Sequence, residues 1–200
     1  MQGKKLGQTP SQTVGPFFAF GLAPTQYGYA KLRSIAGPIL VGPETEGERI
    51  RVEGRVLDGE GQPVDAALIE IWQADARGRT THPSDPRGSN LTFKGFGRCG
   101  TDTGPERRFR FDTVKPGSVD GRQAPHISVC LTMRGLLSHC FTRIYFSDEA
   151  AANARDPVLG SVPAERRATL IATRTDTASG PVYRLDLHMQ GPNETVFFDA

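Results

Sequence analysis

From Ile50 onward, apolar and polar residues alternate in short runs broken by glycine and proline. Ile50, Val52 and Val56 alternate with Arg51, Glu53 and Arg55, the period-two pattern of a half-buried strand. The turn Asp58-Gly59-Glu60-Gly61 ends that run. Ala67 to Trp72 is then apolar on both faces except for Glu70, which predicts a strand in the middle of a sheet. Phe109-Arg110-Phe111 alternates again before Val114-Lys115-Pro116-Gly117 breaks the pattern. His126 to Met133 carries Ile127, Val129, Leu131 and Met133 on one side, and Phe141–Phe146, Val182–Met189 and a short Thr195–Phe198 complete the predicted strands. Gly95-Phe96-Gly97 is too short for a phosphate cradle and reads as a bend, while Trp72 and Tyr145 read as core aromatics.

Helix signals are sparse. Ser147-Asp148-Glu149-Ala150, followed by alanines through Ala154, supplies an N-cap residue and early acids, enough for one short helix. In the first fifty residues Pro10, Gly15, Pro16, Gly21 and Pro24 crowd out any long strand or helix. Phe17, Phe18, Phe20 and Leu22 are costly to leave in water, so this arm is expected to lie on its own core or on another subunit. The expectation is an all-β protein: a β-sandwich over residues 50–200, an irregular N-terminal arm over 1–49, and one short helix.

Composition adds exclusions. The formal charge is +2, with Lys and Arg spread along the chain, which gives no reason to expect nucleic acid. Cys99, Cys130 and Cys140 are odd in number and lack CxxC spacing, so reduced, buried thiols are expected rather than a disulfide framework or zinc knuckle. With no apolar stretch of signal-peptide or membrane-span length, a cytoplasmic protein without a membrane partner is the expectation.

Several phrases carry a more specific signal. TPSQTVGPFF (9–18), IEIWQADARGR (69–79), GFGRCGTDTGPERRFRFDTVKPG (95–117), APHISVCLTMRG (124–135), TRIYFSDEA (142–150) and GPNETVFFDA (191–200) resemble the intradiol ring-cleaving dioxygenases of the protocatechuate 3,4-dioxygenase kind, in that family's order. The resemblance implies two related chains that assemble into a higher hetero-oligomer. One of them is an iron-bearing beta subunit that holds Fe(III) through two Tyr and two His, the histidines in an H-x-H pair. Phenolates suit this ion because hard, anionic oxygens favour Fe(III). The implied reaction opens 3,4-dihydroxybenzoate with O2 to 3-carboxy-cis,cis-muconate, in the β-ketoadipate pathway.

Carried over residue by residue, the four ligand positions fall on Thr80, on Val119 after Ser118, and on His126 and Ser128 of His126-Ile127-Ser128. Both phenolates and one imidazole are missing, and a lone imidazole does not hold ferric iron against water and hydroxide. The resemblance is therefore to the family's metal-free alpha-type chain, whose arm and strand-end arginine reach into the partner's active site. Here those residues are Thr13, Val14, Gly15, Pro16, Phe17 and Arg134, with no catalytic residue on this chain. Phe17 stands where such chains often have Tyr, so a phenol hydroxyl is absent there.

Each assignment has a plainer alternative. Arg134 is either a solvated strand-end arginine or a guanidinium fork for the substrate carboxylate. Eight strand steps at ~3.3 Å put it roughly 26 Å from His126, so it serves another chain's site or none. Gly15-Pro16 is either a bare turn or part of an aromatic pocket wall. His126 is either a ligand relic or a hydrogen-bonded core residue. Two other function classes stay open: a β-sandwich assembly module that lends no active-site atoms, and a stand-alone metalloenzyme using His82, His126, His139 and His188.

Overall fold

The computed structural model describes residues 7–15, 17–87, 92–101 and 104–199. Among these residues nine strands form one continuous sheet: β1 (Arg49–Leu57), β2 (Leu68–Trp72), β3 (Phe96–Gly100), β4 (Arg108–Val114), β5 (His126–Thr132), β6 (Cys140–Phe146), β7 (Ile171–Thr177), β8 (Gly180–Arg184) and β9 (Leu187–His188). Their order is β3-β2-β5-β6-β7-β8-β1-β4, with β9 also paired to β1. The sheet folds over on itself. Val52, Phe109 and Phe111 from one end meet Ile69, Ile127, Val129 and Ile144 from the other in a single core. Each such side chain contributes about 1.5–3 kcal/mol on leaving water, so this layer is the main source of stability.

The two outermost strands, β3 and β4, are stitched by one segment. Gly37 O accepts from Arg98 N (3.1 Å), Asp112 N donates to Pro38 O (2.9 Å), and Leu40 N donates to Asp112 O (2.9 Å). Leu40 itself is fully buried. This nearly closes a barrel and removes the exposed edges that invite aggregation.

The alternating runs became β1, β4 and β5, and the predicted strands at Ala67–Trp72 and Phe141–Phe146 became β2 and β6. Val182–Met189 is one alignment with a gap: β8 and β9 keep the same parallel offset against β1, but Leu185 and Asp186 fall out of the ladder. The reason is local, since the Asp186 carboxylate, in place of a backbone carbonyl, accepts the Arg55 N–H at 2.8 Å. Thr195–Phe198 forms no strand, only an isolated Phe141–Phe198 bridge. Gly95-Phe96-Gly97 is not a bend throughout: Gly95 has φ +68°, and β3 begins at the next residue.

Helix content exceeds the single segment expected. The predicted helix is the four-residue α2 (Ala150–Asn153). It starts late because Asp148 binds Lys115 and Tyr183, and Ser147 Oγ accepts from Arg174 N. The arm contains α1 (Phe18–Leu22), whose Ala19 packs with Ala23 and Leu68. After α2 come α3 (Pro157–Ser161) and a 3-10 helix (Ala164–Leu170). Asp156-Pro157 starts α3: Asp156 accepts from Val158 N and Leu159 N, and proline fits the first helical turn. These short helices cover Tyr145 on the outer face of β6, with Leu159, Val162 and Leu170.

Trp72 is not a core residue. It lies on the outer face at 36% exposure, while Tyr145 is fully buried. Cys99 is buried and Cys130 and Cys140 are half-buried. Burial pushes the Cys130 and Cys140 thiols up, which keeps them protonated and weakly nucleophilic. Among the described residues no helix is long and apolar enough to cross a membrane.

Candidate functional site

Two groups of residues matter: the arm with the turn that carries Arg134, and the four positions expected from the sequence to correspond to metal ligands. β5 stops at Thr132, and the chain turns through Gly135, whose φ of +93° lies in the left-handed region that favours glycine. The arm crosses this turn. Gly135 N donates to Thr13 Oγ1 at 2.8 Å, and the same hydroxyl faces Met133 O at 3.5 Å. Arg134 sits between those two backbone groups, exposed, with no ion pair among the described residues. It projects from the turn, not from the strand face, and six strand steps at ~3.3 Å already hold that turn roughly 20 Å from His126.

Val14 is half-buried and Gly15 exposed, with open space where a Cβ would stand. Pro16 lies outside the described residues. Gly15 O accepts from Phe18 N at 3.1 Å, which starts α1. Phe17, at the N-cap of that helix, is 76% exposed, its ring in a T-shaped contact with Phe20 at 5.9 Å between centroids. Thr13 and Phe17 are four residues apart, at most about 14 Å. Thr13 is thus tied to the turn that carries Arg134, and neither Arg134 nor the Phe17 ring is spent on the chain's own core.

The four ligand positions converge at the far end of β5. Two turns interlock there: a Cβ on Gly78 (φ +76°) would approach Ser118 O to 1.9 Å, and one on Gly117 would meet Ala76 O at 2.6 Å. Thr80 N and Oγ1 donate to Asp85 Oδ2 (2.8 and 3.1 Å). Arg87 pairs with the same carboxylate at 2.7 Å and donates to Val119 O at 2.8 Å. The Arg87 guanidinium and two backbone N–H donors hold the Asp85 carboxyl well below the usual range. On β5, His126 Nδ1 bonds Ala124 O at 2.9 Å. Burial and the nearby Arg143 charge push the imidazole down, toward its neutral form, against the opposing Ala124 bond. Ser128 stands opposite Arg143 in the β5–β6 register.

These residues do not fit a ferric ion. Val119 has no donor atom, the Thr80 hydroxyl is committed to Asp85, and there is one imidazole. The Arg87 cation links the two positions where phenolates are needed. Among the described residues no group of three or more His, Cys, Asp or Glu is placed to hold a metal. His82, His139 and His188 do not join His126. His82 Nδ1 accepts from Ser84 N, His139 stacks on Phe141, and His188 lies on β9. The Asp85–Arg87 pair escaped the sequence reading, although Ser84-Asp85-Pro86-Arg87 has the look of an aspartate-led turn.

Residues 36–191 match the model of a family described as dioxygenase. The protocatechuate 3,4-dioxygenase alpha chain of Burkholderia cepacia is 53% identical over 98% of both chains, and that of Pseudomonas putida is 41% identical over 97% of both. The beta chain of the Burkholderia cepacia enzyme is 37% identical over 76% of this chain and 68% of its own length. Among solved structures, the dioxygenase domain of a dioxygenase and carbohydrate-binding fusion from Streptomyces sp. SirexAA-E superposes with a TM-score of 0.58 at 23% identity, covering 95% of this chain and all of that one. An intradiol ring-cleavage dioxygenase from Tetranychus urticae gives 0.56 at 20% identity, covering 78% and 87%. The chain belongs to the dioxygenase family that includes the alpha and beta chains of protocatechuate 3,4-dioxygenase.

Proposed function

We propose that this chain is the iron-free alpha-type subunit of a cytoplasmic protocatechuate 3,4-dioxygenase, with the β-sandwich core of the intradiol enzymes. Its partner is an iron-bearing beta-type chain in a larger hetero-oligomer, and the complex cleaves 3,4-dihydroxybenzoate with O2. All iron chemistry belongs to the partner. This chain's share is positional: Arg134 pairs with the substrate carboxylate, and Thr13, Val14, Gly15, Pro16 and Phe17 form a wall that orients the ring and excludes water.

The observation that carries the reading is the clasp between Thr13 and the Arg134 turn. A hydroxyl holds the turn by its backbone while the guanidinium stays exposed and unpaired among the described residues. A merely solvating arginine needs no such support. Gly15 and Phe17 add to it, since neither is needed by the chain's own packing.

The test is steady-state kinetics of the complex co-expressed with its beta-type partner. Arg134→Ala is expected to raise KM for protocatechuate roughly ten- to hundredfold, the range for one lost charge-assisted contact. An unchanged KM rejects the role and favours the assembly-module reading.

A further inference from the structure

The outer face of the sheet carries a second built feature. Strand register sets four residues abreast: Phe96 on β3, Trp72 on β2, Ser128 on β5 and Arg143 on β6. The neighbouring row runs Arg98, Glu70, Cys130, Phe141. Over these two rows lies a cavity of about 430 Å³, within the usual range for small-molecule sites. Phe198 lines one side, held on β6 by its N–H donating to Phe141 O at 2.8 Å. Ser128 is the smallest side chain of its row, so the floor dips between the Trp72 indole and the Arg143 guanidinium.

The charges on this face are unevenly matched. Arg98 is paired with Glu70 at 2.6 Å. Among the described residues Arg143 donates to neutral groups alone, Gln123 Oε1 at 2.8 Å and the Tyr145 hydroxyl at 3.4 Å. Asp156, beyond Tyr145, is already used: it accepts from Tyr145, Ala124 N, Val158 N and Leu159 N. Asp199 lines the cavity without reaching ion-pair distance of Arg143. An aromatic-walled cavity with one arginine lacking a carboxylate partner among the described residues is complementary to a flat ring bearing one carboxylate.

We propose that this cavity is a binding site for an aromatic monocarboxylate, separate from the Arg134 edge and not a site of ring cleavage. The carboxylate pairs with Arg143, and the ring lies in the dip over Ser128 against Trp72. The proposal stands on this chain's own residues, not on the subunit reading above.

The test is calorimetric titration of the co-purified complex with 4-hydroxybenzoate, which is not a catechol. Two molecules per heterodimer are expected, one at the partner's active site and one here. Arg143→Gln and the cavity-filling Ser128→Leu are each expected to leave one, or to weaken the second at least about tenfold, with KM for protocatechuate unchanged. One molecule per heterodimer in the wild type overturns the proposal, as does a second site that survives both variants. If no complex forms, the subunit reading fails and this site is still read directly. Trp72 is the chain's single tryptophan, so saturable quenching of the full chain by 4-hydroxybenzoate supports the proposal and flat fluorescence rejects it.

Discussion

Thr13 Oγ1 lies 2.8 Å from the N–H of Gly135, residues 122 positions apart in the chain. This bond joins the N-terminal arm to the turn after β5, so the two parts of the chain expected to reach a partner's substrate form one unit. It also sets the backbone from which Arg134 projects, because Met133 O faces the same hydroxyl from the other side.

Removing that hydroxyl is expected to act through Arg134. In the assembled enzyme, Thr13→Val should raise KM for protocatechuate about two- to tenfold, the range for one lost neutral hydrogen bond, with a smaller change in kcat. Thr13→Ser keeps the oxygen and should restore KM. Thermal stability should barely move, since both partners are at the surface. A variant that loses kcat and Tm together, with no rescue by serine, would mean the contact is only structural.

The interlocked turns predict a sharp contrast between two glycines. At Gly78 a methyl group would approach Ser118 O to 1.9 Å on a backbone with φ +76°, whereas at Gly121, φ +71°, it would meet nothing within 4 Å. Gly121→Ala should therefore cost only left-handed strain, about 1–2 kcal/mol. Gly78→Ala should add a backbone clash and cost roughly 2–5 kcal/mol. Denaturant unfolding of both variants measures the difference, and equal losses would argue against the packed turn.

The glycines also explain where the sequence was hard to read. β3 contains Gly97 and Gly100, poor strand formers, and Gly95-Phe96-Gly97 at its start reads as a bend. At each, a Cβ would crowd a side chain distant in sequence, Leu40 Cδ1 at Gly97 and Tyr27 Oη at Gly100. No local pattern reports such contacts. β7 was missed for the opposite reason. Of its seven residues only Ala172 is buried, so it has almost no hydrophobic alternation. β1, β2, β4, β5 and β6 were legible because one face of each meets the core. The Asp85–Arg87 pair that ties Thr80 to Val119 shows only in three dimensions.

His126 makes a prediction about pH. Burial and Arg143 hold its folded pKa below the ordinary 6.5, despite the Ala124 carbonyl. The unfolded chain therefore binds this proton more readily than the folded one. The stabilising contribution is complete above about pH 6.5 and is lost as pH falls toward the folded value. Carboxylates titrate lower. Burial alone would raise Asp75, Asp148 and Asp186, but their hydrogen-bond donors hold all three below their usual range. Melting curves between pH 7.5 and 5 should show declining Tm in the wild type and a flatter profile in His126→Gln. Parallel profiles would remove His126 as the cause.

The proposed absence of iron from this chain rests on more than one missing imidazole. Ser128→His recreates an H-x-H pair with His126, but Val119 still offers no donor atom and Thr80 stays bonded to Asp85. The Arg87 guanidinium still links those two positions through Asp85 and Val119 O, and a fixed cation there opposes a trivalent one. Both the wild type and Ser128→His, purified without a partner, should hold far less than one iron per chain and show no visible band from phenolate bound to ferric iron. Metal analysis and absorption spectra decide it. Stoichiometric iron in the variant alone would make the second imidazole the decisive loss, whereas stoichiometric iron in the wild type would overturn the iron-free assignment.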